Sequence, residues 1–425
     1  MSPLTFRPAQ QAERPGRGVG RRALLTGAGA AAALGVTGCG TGFRDSPAGS
    51  GGGQSGGPLR VLIGSSGDAE TRAVRAALAD WSKRSGIEAR LSVAADLPQQ
   101  LSQGMAAGSP PDVFYIAPEE FAAYAGNGSL EPYGARMYDD FYPSLLESFR
   151  YEGKLVCVPK DSSTLALFIN DELWRRAGLT AKDYPGTWDE LHAVARRLSS
   201  GRRAGLTFDP QWQRVGAFMA QAGGHLVDRR GRADVDTPEN EKALAFVKEM
   251  LASKALAYPG ALDAGWGGEA FGNESAAMAV EGNWTVGALA NDFPDLKYTV
   301  VPLPKGPEGP GTLQFTNGWG VAADSANTTA AVDLVRYLVS ANAQMTFAKK
   351  LGFMPSIELL DERWRKEFPK QSAFLDGVPY AQGVPPVKGI KEVLAEFGAE
   401  LEGLAGKKPK DILRSVHSAL KAVTG

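Results

Sequence analysis

The sequence predicts an α/β protein built as two lobes. Two observations point there. From Leu59 onward, apolar strand-like runs alternate with amphipathic helices, beginning with a strand–helix–strand unit between Leu59 and Val93. The chain behind its N-terminal leader is also long: cleavage before Cys39 would leave 387 of the 425 residues (425 minus 38), enough for two domains of ordinary size.

The leader comes first. Arg7, Arg14, Arg17 and the adjacent Arg21-Arg22, opposed only by Glu13, precede the apolar run "LLTGAGAAAALGVTGCG". This is the layout of an export signal, and paired arginines suit the twin-arginine route. The run is shorter than the roughly 20 residues a spanning helix needs, and Gly27, Gly29 and Gly35 lower its helix propensity, so a permanent transmembrane anchor is the weaker reading. Val36-Thr37-Gly38-Cys39 resembles the bacterial lipobox, which makes Cys39 the lipidated first residue of the mature chain. The competing reading is an ordinary cleaved signal with an incidental cysteine. Residues 39–58, rich in Gly and Ser, read as a tether between lipid and folded body. The expected location is the extracytoplasmic face of a bacterial membrane.

Composition narrows the function. Without the five Arg and one Glu of the leader, 46 basic and 47 acidic residues become 41 and 46, a net charge of −5 that gives nucleic acid no basic surface. If Cys39 is lipidated, Cys157 in "GKLVCVPK" stands alone, which removes an intramolecular disulfide and leaves a small buried hydrophobe.

The elements follow in order. A strand at Leu59–Ile63 leads through a Gly/Ser turn to a helix with Val74, Leu78 and Trp81 on one face, ended by Gly86. Ile87, Ala89, Leu91 and Val93 alternate as the next strand. A helix with Leu97, Leu101 and Met105 in register precedes the strand "DVFYIA" and a short helix ended at "AGNGS". Two further strands, "KLVCVP" and "TLALFIN", precede a helix over 187–198 that opens with Thr187 and Glu190 spaced as a capping box. Thr237-Pro238 starts a helix to about Lys254. "AAMAVEGNW" is a short strand meeting a turn, two extended runs flank a Pro/Gly loop between 298 and 324, and "NTTAAVDLVRYLVS" returns to helix. Residues 388–423 read as two closing helices.

The common catalytic constellations are missing from the sequence. His192, His225 and His417 have no zinc-ligand spacing. "GSSGD" places Asp68 where a nucleophile elbow needs its last glycine, "GGGQSG" matches GxGxxG only inside the tether, and "GKK" at Gly406 lacks the rest of a phosphate loop. The acid pairs Glu119-Glu120 and Asp139-Asp140 keep a secreted glycosidase as the enzyme-class rival, with solvated surface charge as the bland reading of both.

Several stretches, in order, carry a resemblance that spans nearly the whole mature chain: "SPPDVFYIAPEEFAAYAGNGSLEP", "GKLVCVPKDSSTLALFINDELWRRAGL" followed by "TWDEL", "AAMAVEGNW", "VVPLPKGPEG", "TNGWGVAADSANTTAAVDLVRYLVS" and "GFMPS". Together they resemble the family 1 extracellular solute-binding proteins, the sugar-binding subunits of ABC importers related to maltose-binding protein. The resemblance implies the two-lobed periplasmic-binding-protein fold, with lobe one over 59–161 plus 318–351 and lobe two over 162–317 plus 352–425. Hinge-linked lobes would close over a ligand in the cleft between them. It further implies a sugar ligand, a membrane permease as partner, a monomer, and neither enzymatic activity nor any cofactor or metal. Binding proteins for glycerol phosphodiesters, polyamines or iron are the rivals within the family, and a lipoprotein that binds another protein is the rival outside it.

The site residues implied by the resemblance suit a pyranose, which has apolar C–H faces and a hydroxyl rim. Trp284 after Gly282-Asn283, Trp319 after Gly318, and Trp212 in "FDPQWQR" are the expected cleft rings, whereas Trp81, Trp174 and Trp188 lie on helices in packing register. Ser66 and Asp68 at the end of the first strand, Tyr115 and Glu119 after "PDV", Ser163 and Thr164 at the lobe crossing, and Asn283 and Gly318 beside the tryptophans complete the set. Where the sugar-binding relative has an aromatic residue and an acidic ligand, this chain has Ile116 and the Ser163-Thr164 pair, so the expected hydroxyl pattern differs from that of maltose.

Overall fold

The computed structural model describes residues 57–137 and 140–425; the leader, Cys39, the tether up to residue 56, and Asp139 lie outside the described residues. Strand β1 (Leu59–Ile63) runs into the Gly64–Gly67 turn and helix α1 (Asp68–Ser85). The helix ends because Gly86 takes the left-handed conformation (φ 75°), where a Cβ would be strained. β2 (Ala89–Val93), α2 (Leu97–Ala106), β3 (Val113–Ile116) and α3 (Pro118–Gly126) continue the alternation, and Asp96 caps α2 by accepting from Gln99 N. β1 pairs in parallel with both β2 and β3, as crossover connections through helices require.

The chain then forms β4 (Val158–Pro159) and enters β5 (Ser163–Asn170), which is buried along its whole length. α4 (Trp188–Leu198) opens at Thr187, whose hydroxyl accepts from Glu190 N, while Glu190 reaches back to Gly186 N. β6 (Ala204–Thr207), α5 (Trp212–Gln221), α6 (Pro238–Ala252), β7 (Leu256–Ala257), β8 (Ala276–Gly282), α7 (Trp284–Asp292), β9 (Tyr298–Val301) and β10 (Thr312–Phe315) follow. β11 (Gly318–Val321) leads to α8 (Thr328–Leu338) and α9 (Ala341–Leu351), after which come β12 (Ala381–Gln382), α10 (Ile390–Glu402) and α11 (Pro409–Thr424).

These strands make two principal sheets, each the centre of one lobe. In the first the order is β2-β1-β3-β11-β4, with β11 returning antiparallel to β3. The second has the order β12-β10-β5-β8-β6-β7, with β9 also on β5. Each sheet is covered by helices and has its own apolar core. Val74, Leu78, Trp81 and Leu334 belong to the first, and Trp174, Trp188, Phe218 and Phe397 to the second. Cys157 is buried, and that burial pushes its thiol up, away from the reactive thiolate.

Three chain segments join the lobes. Lys160 N donates to Asn317 O (2.8 Å), Ser162 N donates to Met354 O (2.9 Å), and the Thr316 hydroxyl donates to Asp161 O (2.8 Å). The crossings are thus tied side by side at one place, the floor of a cleft. Among the described residues no helix is long and apolar enough to cross a membrane.

Candidate functional site

On the lobe-one side, the turn after β1 and the first turn of α1 organise a charged cluster. Glu70 is 3% exposed and accepts at one carboxylate oxygen from both the Ser66 N–H and its hydroxyl, each at 2.8 Å. Its other oxygen accepts from the Tyr115 hydroxyl (3.0 Å) at the end of β3 and from Lys160 Nζ (3.3 Å). Lys160 also pairs with Asp161, and its ammonium lies 4.5 Å above the Tyr115 ring and 4.8 Å above the Phe353 ring. Burial alone would push the Glu70 carboxyl up. Lys160, the Ser66 donors and Tyr115 outweigh it and hold the group below the usual carboxylate range. For Lys160 burial lowers the pKa, but Asp161, Tyr115 and Glu70 reverse it, so the ammonium stays charged.

On the lobe-two side, β8 ends at Gly282 and α7 begins with Trp284. A Cβ on Gly282 would sit 2.2 Å from the Trp284 ring, so the glycine is what lets that ring fold back across the strand end. Trp284 meets Phe315 edge to face, with centroids 5.1 Å apart at 84°. Asn283 fixes the turn: its N–H donates to the Ser163 hydroxyl (3.3 Å) and its amide to Gly352 O (3.0 Å). Behind the rings, Arg214 Nη2 donates to Glu281 Oε2 at 2.7 Å, both side chains being buried. Burial pushes the Glu281 carboxyl up, Arg214 pulls it back, and neighbouring Asp209 adds to the rise.

Between the walls lies a space of about 450 Å³, in the range of a small-ligand site. Through Ala117 and Glu119 it adjoins a wider compartment of about 940 Å³, bordered on lobe two by Asp209, Gln213 and Tyr258. Glu119 stands in the first turn of α3, and burial pushes its carboxyl up. At this wider compartment Lys391 of α10 donates to Glu120 of α3 at 2.7 Å, an ion pair from lobe to lobe. Among the described residues no group of three or more His, Cys, Asp or Glu side chains is placed to hold a metal ion.

Of the residues expected at the site, Ser66, Tyr115, Glu119, Ser163, Asn283 and Trp284 converge on the 450 Å³ space. The other five do not line it. Asp68 lies in the first turn of α1 and points to solvent. Thr164 is fully buried and donates to Phe374 O at 2.6 Å, a structural bond within lobe two. Trp212, expected on a loop, is the first residue of α5 and belongs to the lobe-two core. Gly318 and Trp319, also expected at a loop, form β11 instead. Because β11 pairs on both edges, with β3 and β4, the Trp319 ring is 1% exposed and packs edge-on against Tyr115 at 4.7 Å. It borders a void of about 20 Å³ beside the cleft, room for one water. Gly318 is packed as closely, since a Cβ there would lie 2.7 Å from Phe149.

Glu70, Lys160, Asp161, Phe315 and Phe353 also line the space, and sequence reasoning passed over them. A signal existed for some. Lys160-Asp161 breaks sharply from the apolar run "LVCVP", and Glu281, behind the wall, is a lone charge inside "AAMAVEGNW".

Comparison with known proteins agrees with this architecture. The family model for bacterial extracellular solute-binding protein matches residues 65–345. The maltotriose-binding protein of Pyrococcus abyssi is 25% identical over 350 residues, covering 76% of this chain and 74% of that protein. Among solved structures, the cyclic alpha-maltosyl-1,6-maltose binding protein of Arthrobacter globiformis superposes with a TM-score of 0.76 at 23% identity, covering 87% of this chain and 99% of that one. UgpB of Mycobacterium tuberculosis, solved with glycerophosphocholine, also gives 0.76, at 17% identity over 87% and 98% of the chains. The two solved structures share the two-lobed fold. With well over half of its length matched by the family model, the chain belongs to the bacterial extracellular solute-binding proteins.

Proposed function

We propose that the protein captures a neutral mono- or oligosaccharide in this cleft, releases it chemically unchanged, and delivers it to the permease of an ABC importer while held to the membrane by lipid on Cys39. The observation that carries the reading is the pairing of unlike walls across about 450 Å³: the Trp284 and Phe315 rings on one side and fixed hydrogen-bonding groups on the other. A flat ring accepts the C–H face of a sugar, and Tyr115, Glu70, Asp161 and Ser66 meet its hydroxyl rim. Micromolar binding is about −8 kcal/mol. Roughly 300 Å² of apolar contact at about 25 cal/mol/Å² supplies about 7 of it.

A phosphodiester fits less well. Among the described residues lining the 450 Å³ space, Lys160 is the only cation, and it is already neutralised by Glu70 and Asp161. Relatives that bind maltotriose and a cyclic maltooligosaccharide favour the carbohydrate class. Closure follows if ligand binds the closed form more tightly than the open one, which presents that form to the permease.

Isothermal titration of the purified protein against maltotriose, diacetylchitobiose, glycerophosphocholine and spermidine, with analysis of the recovered ligand, tests the proposal. Micromolar binding of a sugar that returns intact is expected. Hydrolysis, or binding of glycerophosphocholine or spermidine alone, would overturn it. For the anchor, Cys39→Ser should abolish incorporation of labelled palmitate, and retained label would refute lipidation at that residue.

A further inference from the structure

The pair Arg214–Glu281 has no counterpart in the function so far described. Neither residue lines the cleft, yet both are buried directly behind its ring wall. The Arg214 guanidinium lies 5.3 Å from the Trp284 ring and 5.9 Å from the Phe315 ring, so one cation is shared by both faces of the edge-to-face pair. The bridge is not completed as a purely structural one would be. Among the described residues Arg214 Nε and Glu281 Oε1 are buried with no hydrogen bond to a donor or acceptor that would complete the bridge, and the Glu281 carboxyl has the Asp209 carboxyl as a neighbour. A buried ion pair left short of partners contributes little net stability, and it is better understood through what it orients.

We propose that Arg214 is a positioning residue for ligand recognition: its guanidinium, fixed and neutralised by Glu281, holds the Trp284 and Phe315 rings in the crossed pose that forms the apolar wall of the site. Both rings also rest on the lobe-two core. Gly282 permits the Trp284 ring to lie back over the strand, and Phe315 meets it edge on. Arg214 approaches both rings from α5, a different element of the lobe. A planar guanidinium can lie near two rings while its fork engages a carboxylate, whereas a lysine ammonium offers a point charge. With the pose set before ligand arrives, binding does not spend free energy on ordering the rings.

The inference rests on the carbohydrate reading of the site, and its test has a readout that needs no ligand. The charge-neutral double variant Arg214→Met/Glu281→Met and the milder Arg214→Lys are each made in the native chain and again with Trp284→Phe. The difference between each pair isolates the Trp284 contribution to fluorescence and near-ultraviolet circular dichroism. The double variant should shift the Trp284 emission and lose its near-ultraviolet signal, with Arg214→Lys intermediate. Maltotriose affinity should fall about fivefold to tenfold in the double variant and less in the lysine variant. A Trp284 signal unchanged in both variants overturns the proposal, whatever the ligand. If the signal moves while the native protein binds no sugar, the carbohydrate reading fails and the ring-holding role stands.

Discussion

The two walls of the cleft solve different problems with different residues. Lobe one presents a closed electrostatic circuit, in which Glu70 accepts from Ser66, Tyr115 and Lys160, and Lys160 is shared with Asp161. Lobe two presents the Trp284 and Phe315 rings beside the smaller polar Ser163 and Asn283, with the charges of Arg214 and Glu281 placed behind the rings. The contrast teaches how a neutral polyol can be held. Polar groups tied to one another in place give direction, and rings give area without direction. Each wall is preorganised by its own lobe, so closing the cleft brings two finished surfaces together.

Four substitutions separate the roles of the two walls. Trp319→Ala should destabilise lobe one by about 4 kcal/mol in urea unfolding, because the ring fills the core behind Tyr115. A loss of sugar affinity with stability intact would instead return Trp319 to the ligand wall. Lys160→Met should destabilise by about 3 kcal/mol, since Glu70 and Asp161 lose their buried counter-charge. Equal stability would mean that the circuit does not hold the wall. Trp284→Ala should weaken sugar binding at least about tenfold, or about 1.4 kcal/mol, with a smaller effect on folding. Unchanged affinity would remove Trp284 from the ligand wall. Lys391→Glu, which puts like charges across the outer compartment, should weaken binding about threefold, an effect that shrinks in high salt.

The walls should also respond oppositely to acid. The Glu70 carboxyl is held below its ordinary value of 4.5, so its contribution to stability is present above about pH 4.5 and is lost as pH falls through the lower folded value. Glu281 lies above its ordinary value, so its contribution is full below about pH 4.5 and declines as pH rises through the higher folded value. Unfolding midpoints between pH 3 and 7 should therefore show an acid loss that Glu70→Gln reduces and Glu281→Gln does not.

Much of the fold was legible because local signals agreed with tertiary packing. The strand at Leu59–Ile63, the glycine end of α1 at Gly86 and the Thr187 cap of α4 appear where pattern and capping chemistry place them. The site was only half legible. Ser66, Tyr115, Ser163 and Asn283 stand at strand ends, where topology leaves few places to point except the cleft. The tryptophans were harder. Trp284 and Trp319 both follow a Gly/Asn pair, Gly282-Asn283 and Asn317-Gly318, but Trp284 begins a helix at the end of its strand, whereas Trp319 lies inside a strand paired on both edges. Which of these applies depends on long-range pairing that residue spacing does not encode. Arg214 was invisible, and Lys160 was marked only by its break from an apolar run, for a related reason, since a charge that looks solvated in sequence becomes buried only when distant partners such as Glu70 and Glu281 meet it.

A crystal structure of the protein with maltotriose, or with whichever sugar binds more tightly in the titration, would show whether the two walls grip opposite sides of one ligand. A pyranose face should lie on Trp284, with its hydroxyls meeting Glu70, Tyr115 or Asp161 and the lobes closed around it. A sugar bound elsewhere, or held in the cleft without touching Trp284, would contradict this arrangement.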